Sequence, residues 1–152
     1  MFLSIKDPHP LIVAPPELVS LYPPDGMPLP PTFDDDLAGK PEYQKSAPGR
    51  LARPPAAPTF RRMVSHYYAL LSHVDREFGR IIAALEHSGC RKNTLIAFIS
   101  DHGEMLGDHG FVGKRLFYEA SVRVPCILNC PAGLPAGGRV TTPLAGVDLA
   151  PT

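Results

Sequence analysis

The sequence predicts an α/β domain with a mostly parallel central sheet flanked by helices, and three observations carry that expectation. Two apolar runs of strand length, Leu95 to Ser100 and Val124 to Asn129, stand on either side of a loop rich in glycine and charge. A third short run, residues 2–6, ends at Asp7-Pro8-His9-Pro10. Between residues 2–6 and the other two runs lies a long stretch whose apolar residues recur at three- and four-residue steps, the period of an amphipathic helix. Strand, helix, strand, helix, strand is the order from which parallel sheets are built. At 152 residues the chain is at most one domain, long enough to bury a core.

After the first strand, residues 10–58 form a proline-rich loop. Each proline removes a backbone donor and restricts the residue before it, so this segment is expected to be largely irregular and exposed. Loops of such length are usually functional or disordered. Glu17 to Tyr22 is expected to make one helical turn, and Asp34-Asp35-Asp36 reads as a solvated acidic run. The spacing of Met63, Val64, Tyr67, Leu70, Leu71, Val74, Phe78, Ile81, Ile82 and Leu85 predicts a helix from about Phe60 to Ser88. Thr59 is its expected N-cap and Gly89 its stop. Tyr67, Leu71, Val74, Phe78 and Leu85 are expected to face the sheet. His66, His73 and His87 lie on this helix without carboxylates or cysteines at ligand spacing, and read as surface or packing residues.

Asn93 and Thr94 turn the chain into the buried strand Leu95 to Ser100. A short helix is expected over Leu116 to Val122, then the second buried strand from Val124 to Asn129. A glycine- and proline-rich turn follows from Pro131 to Gly138, and Ala145 to Asp148 leads toward a final helix.

Composition excludes several classes of partner. Apolar content of 44% with 20% charged residues fits a globular protein, and fifteen basic against fifteen acidic residues give no support for nucleic-acid or membrane-surface binding. No apolar stretch approaches the roughly 18 residues a membrane span needs. Met1 to Asp7 lacks the basic start and long apolar stretch of a signal peptide. Cys90, Cys126 and Cys130 are odd in number and have no framework spacing. Cys126 is expected in the core, close enough to Cys130 for the two to approach, with no zinc site between them.

The chemistry concentrates where the strand Leu95-Ile96-Ala97-Phe98-Ile99 empties into Ser100-Asp101-His102-Gly103-Glu104. Ligands of open α/β sheets gather outside the carboxyl ends of strands, and Asp and His are donors suited to a divalent cation. Lys114, 13 positions after Asp101, could neutralise an anionic substrate at the same place.

The ordered run Ser100-Asp101-His102-Gly103-Glu104-Met105-Leu106-Gly107-Asp108-His109-Gly110, with Gly113-Lys114 and Phe117 to Pro125, resembles the sulfatase family of the alkaline phosphatase superfamily. The resemblance extends upstream to Phe2 to Pro10 and downstream to Val147 to Thr152, so it covers nearly the whole chain. It implies a fragment of an alkaline phosphatase-like domain: residues 1–152 as a partial sulfatase catalytic domain, truncated at both ends, with 10–58 a loop inside it. It implies Asp101 and His102 as metal ligands, and His9 and Lys114 as catalytic groups that bind the sulfate or the leaving-group oxygen. The implied cofactor is a divalent metal ion, calcium first, with magnesium, manganese or zinc compatible with the same pair. The implied partner is a small-molecule or carbohydrate sulfate ester, with no nucleic acid and no membrane span.

Glu104, Asp108 and His109 are expected to orient the ligands through hydrogen bonds, and Arg123 to pair with a carboxylate or carbonyl. Sulfatases take their formylglycine nucleophile from a Cys/Ser-x-Pro-x-Arg motif, and no cysteine here has proline and arginine at those offsets. Ser46-Ala47-Pro48-Gly49-Arg50 fits the bare pattern but is rejected. It lies in the proline-rich loop and after the Asp-Pro-His-Pro strand, and Pro54 and Pro55 follow where the family has a helix. A phosphonate monoester hydrolase or phosphodiesterase of the same superfamily is the alternative, and a non-catalytic remnant the third reading.

Overall fold

The computed structural model describes residues 1–51 and 56–149. Pro54 and Pro55, and Ala150 to Thr152 of the expected final helix, lie outside these residues. The dominant element is one long helix, α3 (Ala57–His87), preceded by two single-turn helices, α1 (Pro16–Val19) and α2 (Glu42–Lys45). Strand β1 (Ile96–Ile99), a single turn α4 (Glu119–Val122) and strand β2 (Cys126–Asn129) follow.

Helix α3 begins three residues earlier than its apolar period indicates. Ala56 is the N-cap, and Pro58 sits in the first turn, where its missing N–H breaks no hydrogen bond. Thr59 is therefore inside the helix, not its cap. The far end follows the sequence: the Ser88 and Gly89 amides bond back to Ala84 and Glu86, and Gly89 takes φ +73°.

The sheet departs from expectation. β1 and β2 pair antiparallel, Ile96 opposite Asn129 and Ile99 opposite Cys126, and they are the only described sheet strands. The 26-residue connection holds a long turn-rich loop and one helical turn instead of a crossover helix, so it can return β2 against β1 as an antiparallel neighbour. Residues 2–6 form no strand, because no described segment runs beside them to complete a ladder. With two strands and one helix over them, the sheet is not buried. β1 alternates between half-buried and exposed, and every residue of β2 is exposed. Cys126 is thus on the surface, and all three cysteines are free.

The core sits elsewhere, between the first half of α3, the proline-rich segment and the loop after β1. Phe33, Phe60 and Val64 form one cluster, and Ala14, Ala69 and Leu70 a second. Leu37, Ala47, Met105, Phe111 and Leu116 form a third. Residues 10–51, the described part of the proline-rich segment before α3, are mostly irregular apart from short turns such as α1 and α2, but they are no bystander. Ala14, Phe33, Leu37 and Ala47 are all buried. Fully burying one such side chain of Phe or Leu size contributes about 1.5–3 kcal/mol. Hydrogen bonds fasten the same segment to α3, with the Ser65 hydroxyl donating to the Tyr22 carbonyl at 2.5 Å.

The second half of α3 meets the sheet only loosely. The Phe78 and Phe98 rings meet at a tilt of 57° with centroids 5.3 Å apart, while Leu71, Val74, Phe78 and Ile82 line an open groove facing Ile96 and Ile127. Leu71, expected to be covered, is exposed.

Candidate metal and anion site

β1 delivers Asp101 and His102 just past its carboxyl end. There the extended chain breaks, and the Gly103 amide bonds to the Ser121 carbonyl at 2.7 Å. Gly103 is required at this crossing, since a Cβ would lie 2.1 Å from the Ala120 carbonyl oxygen. The Asp101 Oδ2 and His102 Nε2 atoms are 3.3 Å apart. His102 Nδ1 lies 2.9 Å from the Gly103 carbonyl, which can only accept, so Nδ1 carries the proton and donates. In the neutral ring Nε2 then holds its lone pair toward the carboxylate. Two acceptors face one another, an arrangement that a proton on Nε2 or a cation between them would satisfy. Two donors about 2.0–2.6 Å from one cation, at roughly a right angle, are themselves about 3 Å apart. The pair therefore fits two adjacent positions of a divalent metal's shell, with the second imidazole nitrogen anchored as in metal-binding histidines generally. Asp101 remains largely open to solvent, its side chain 84% exposed. Among the described residues no group of three or more His, Cys, Asp or Glu side chains is placed to share one ion.

The loop that carries Lys114 is fastened to Glu104 and Met105 through the neighbouring Gly113 backbone. The loop folds back so that the Met105 amide bonds to the Gly113 carbonyl at 2.8 Å, and the Gly113 amide donates to Glu104 Oε1. The same oxygen accepts from the Leu106 amide at 3.3 Å. Lys114 is half-buried and makes no hydrogen bond or ion pair with the described residues. Glu104 carries its charge beside Tyr67, whose phenol is pushed above its ordinary 10.0 by burial first and by that charge second. His9 is exposed, its Nδ1 2.6 Å from the Pro10 carbonyl, and no described hydrogen bond or ion pair joins it to Asp101, His102 or Lys114.

Asp108 and His109 do not orient the Asp101–His102 pair. They bind the proline-rich segment instead. His109 takes φ +50°, which swings its ring back across the loop, and Nδ1 donates to Asp35 Oδ2 at 2.5 Å. The Thr32 hydroxyl donates to Asp108 and accepts the His109 amide at 3.0 Å. Arg50 donates one nitrogen to the His109 carbonyl and another to the Asp35 carbonyl at 2.8 Å. The His109 ring stacks on Tyr118 at 4.1 Å, and the Tyr118 hydroxyl donates to Gln44 at 2.6 Å. The His109 hydrogen bond, with the Leu37 amide second, holds the Asp35 carboxyl below its ordinary 3.8. The run Asp34 to Asp36 is thus not uniformly solvated. Asp35 is its structural member, a role with no signal in the sequence because its partner lies 74 residues away.

Arg50 engaged in this way is not available beside Ser46, whose hydroxyl is exposed and points to the Tyr43 carbonyl. Arg123 lies 3.9 Å from Glu119 on the surface, the carboxylate partner expected of it. His87 caps the Ala83 carbonyl and His73 meets Arg76, as surface residues do.

The fold matches parts of longer proteins of known structure. A protein solved in complex with its substrate D-glucosamine-2-N,6-O-disulfate superposes with a TM-score of 0.76 at 22% identity, over 87% of this chain and 38% of its own. A phosphonate monoester hydrolase from Silicibacter pomeroyi superposes with a TM-score of 0.69 at 37% identity, over 82% of this chain and 27% of its own. The architecture is that of the alkaline phosphatase superfamily. Within it, the sulfatase family model matches residues 1–152, and the chain belongs to the sulfatase family. A sulfatase from Formosa agariphila is 30% identical over 155 residues, which take in 99% of this chain. The chain spans 30% of that relative's length.

Proposed function

We propose that this chain is the metal- and sulfate-binding part of a sulfuric ester hydrolase. The observation that carries the reading is the Asp101–His102 pair, two facing acceptors 3.3 Å apart at the end of β1. Asp101 Oδ2 and His102 Nε2 would hold a divalent cation, with calcium the first choice. When bound, it supplies Lewis-acid polarisation of the sulfuryl oxygens. Lys114, which pairs with no carboxylate among the described residues, sets a positive charge where negative charge develops on those oxygens. His9, assigned to the leaving group by the sulfatase resemblance of its Asp-Pro-His-Pro context, would supply the proton that the departing alkoxide needs. The substrate is a small-molecule or carbohydrate sulfate ester, a class supported by the disulfated glucosamine bound to the structural relative. In the whole domain, β1 would belong to a mostly parallel central sheet with β2 as its antiparallel neighbour; the apolar side chains Ile99, Ile127 and Leu128 left exposed support that placement.

The test is hydrolysis of a chromogenic aryl sulfate by a longer protein that carries this segment together with a Cys-x-Pro-x-Arg motif. Lys114→Ala and Asp101→Ala are each expected to lower kcat about 100- to 1000-fold, the usual cost of one such group. Turnover indifferent to both would sink the assignment. An aryl phosphonate monoester assayed beside it, and hydrolysed faster, would move the chain to the sister activity of the Silicibacter enzyme.

A further inference from the structure

Lys114 is the proposed anion contact, yet no side chain among the described residues holds its ammonium, so what fixes it acts through the main chain. Glu104 is the group in position to do so. Its Oε1 accepts the amides of both Gly113 and Leu106, and the Met105 amide closes the same pinch on the Gly113 carbonyl. Gly113 takes φ +84° with open space around it, so the bend there is set by the backbone and not by a packed neighbour. Glu104 itself stands two residues beyond His102 and forms no ion pair among the described residues. A carboxylate with no cationic partner, half-buried beside Tyr67, would ordinarily be costly to keep. Two backbone amides compensate it, and charge-assisted bonds of this kind are about twice as strong as neutral ones.

We infer that Glu104 is a positioning residue that fixes the Gly113–Lys114 turn at a set distance from the Asp101–His102 pair, which rests on the sulfate-site reading for its functional meaning. The clamp converts a long flexible side chain into one pivoting from a single backbone point. Removing the acceptor would leave Asp101 and His102 intact while letting Lys114 wander. Glutamine keeps an acceptor at the same place, so Glu104→Gln should rescue what Glu104→Ala destroys.

The experiment uses the 152-residue chain labelled with nitrogen-15. It follows amide hydrogen exchange at Gly113, calcium binding, and the shift of the Lys114 resonances as inorganic sulfate is added. Exchange at Gly113 should quicken about tenfold or more in Glu104→Ala and stay near the wild-type rate in Glu104→Gln. The sulfate response at Lys114 should weaken in the alanine variant alone, and calcium binding should be unchanged in both. Unchanged Gly113 exchange in Glu104→Ala would overturn the inference. So would loss of calcium binding in Glu104→Gln, which would make Glu104 a ligand instead. A wild-type chain with the expected Gly113 behaviour but no sulfate response would support the clamp and count against the sulfate site.

Discussion

Asp35, Asp101 and Glu104 are all carboxylates, and their surroundings give each a different role. Asp35 is bonded to His109 and to the Leu37 amide, and Lys40 adds a weaker attraction, so it ionises more readily in the folded chain than in the unfolded one. Lowering a carboxyl pKa on folding adds stability above the unfolded value, about pH 3.9, and that stability is lost as pH falls through the folded value. The urea midpoint should therefore decline below about pH 4, and Asp35→Asn should flatten that acid limb. At neutral pH the same substitution should cost about 1–3 kcal/mol, because the His109 donor loses a charged acceptor. Gly49 makes a second residue-scale case. It takes φ +90°, and a Cβ would sit 2.2 Å from the Val112 carbonyl oxygen. Gly49→Ala should lower stability by about 2 kcal/mol or more, seen as a fall in Tm, since backbone and space both forbid it. A Tm within a degree or so of wild type would mean that the Gly49–Val112 approach is not maintained in solution.

At the scale of elements, α3 has two halves that should respond differently. Phe60 and Leu70 are almost wholly buried, whereas Leu71 faces the open groove. Phe60→Ala and Leu70→Ala should each cost about 2–5 kcal/mol in urea unfolding, and Leu71→Ala well under that. Equal costs would show that something covers the groove in solution. The helix was legible because its 3.6-residue period is a local signal, and Val64 and Leu70 of that periodic set are buried, although the face expected against the sheet ran from Tyr67 to Leu85. The structure places it at Phe60, Val64, Ala69 and Leu70. The face that is covered depends on what packs there, and the proline-rich segment does so. Prolines erase the periodicity by which a packed segment is recognised, so Ala14, Phe33, Leu37 and Ala47 carried no mark of burial. The strand β1 was legible from its apolar run, but antiparallel pairing with β2 is a property of the connection between them, which composition does not encode.

For the whole molecule, the family match spans residues 1–152, while the chain amounts to 30% of the length of its Formosa relative. Asp101, His102 and Lys114 are proposed from a sequence pattern, a strand end followed by donors, and the structure holds the Asp101 and His102 side chains 3.3 Å apart. His9 was named from its context alone, and the geometry leaves it without a bond to the others. The 152-residue chain by itself should give no measurable turnover of an aryl sulfate, since two ligands and one lysine lack a nucleophile. Metal binding should persist but weakly, about millimolar, since calcium typically takes six to eight oxygen ligands. The measurement that tests the site most directly is a titration of the labelled chain with manganese, whose paramagnetism broadens only nearby resonances. Broadening should begin at Asp101, His102 and Gly103 and disappear in both Asp101→Ala and His102→Ala. Broadening centred on Asp34 to Asp36 or another acidic surface, and unchanged by either substitution, would contradict a cation site at the end of β1.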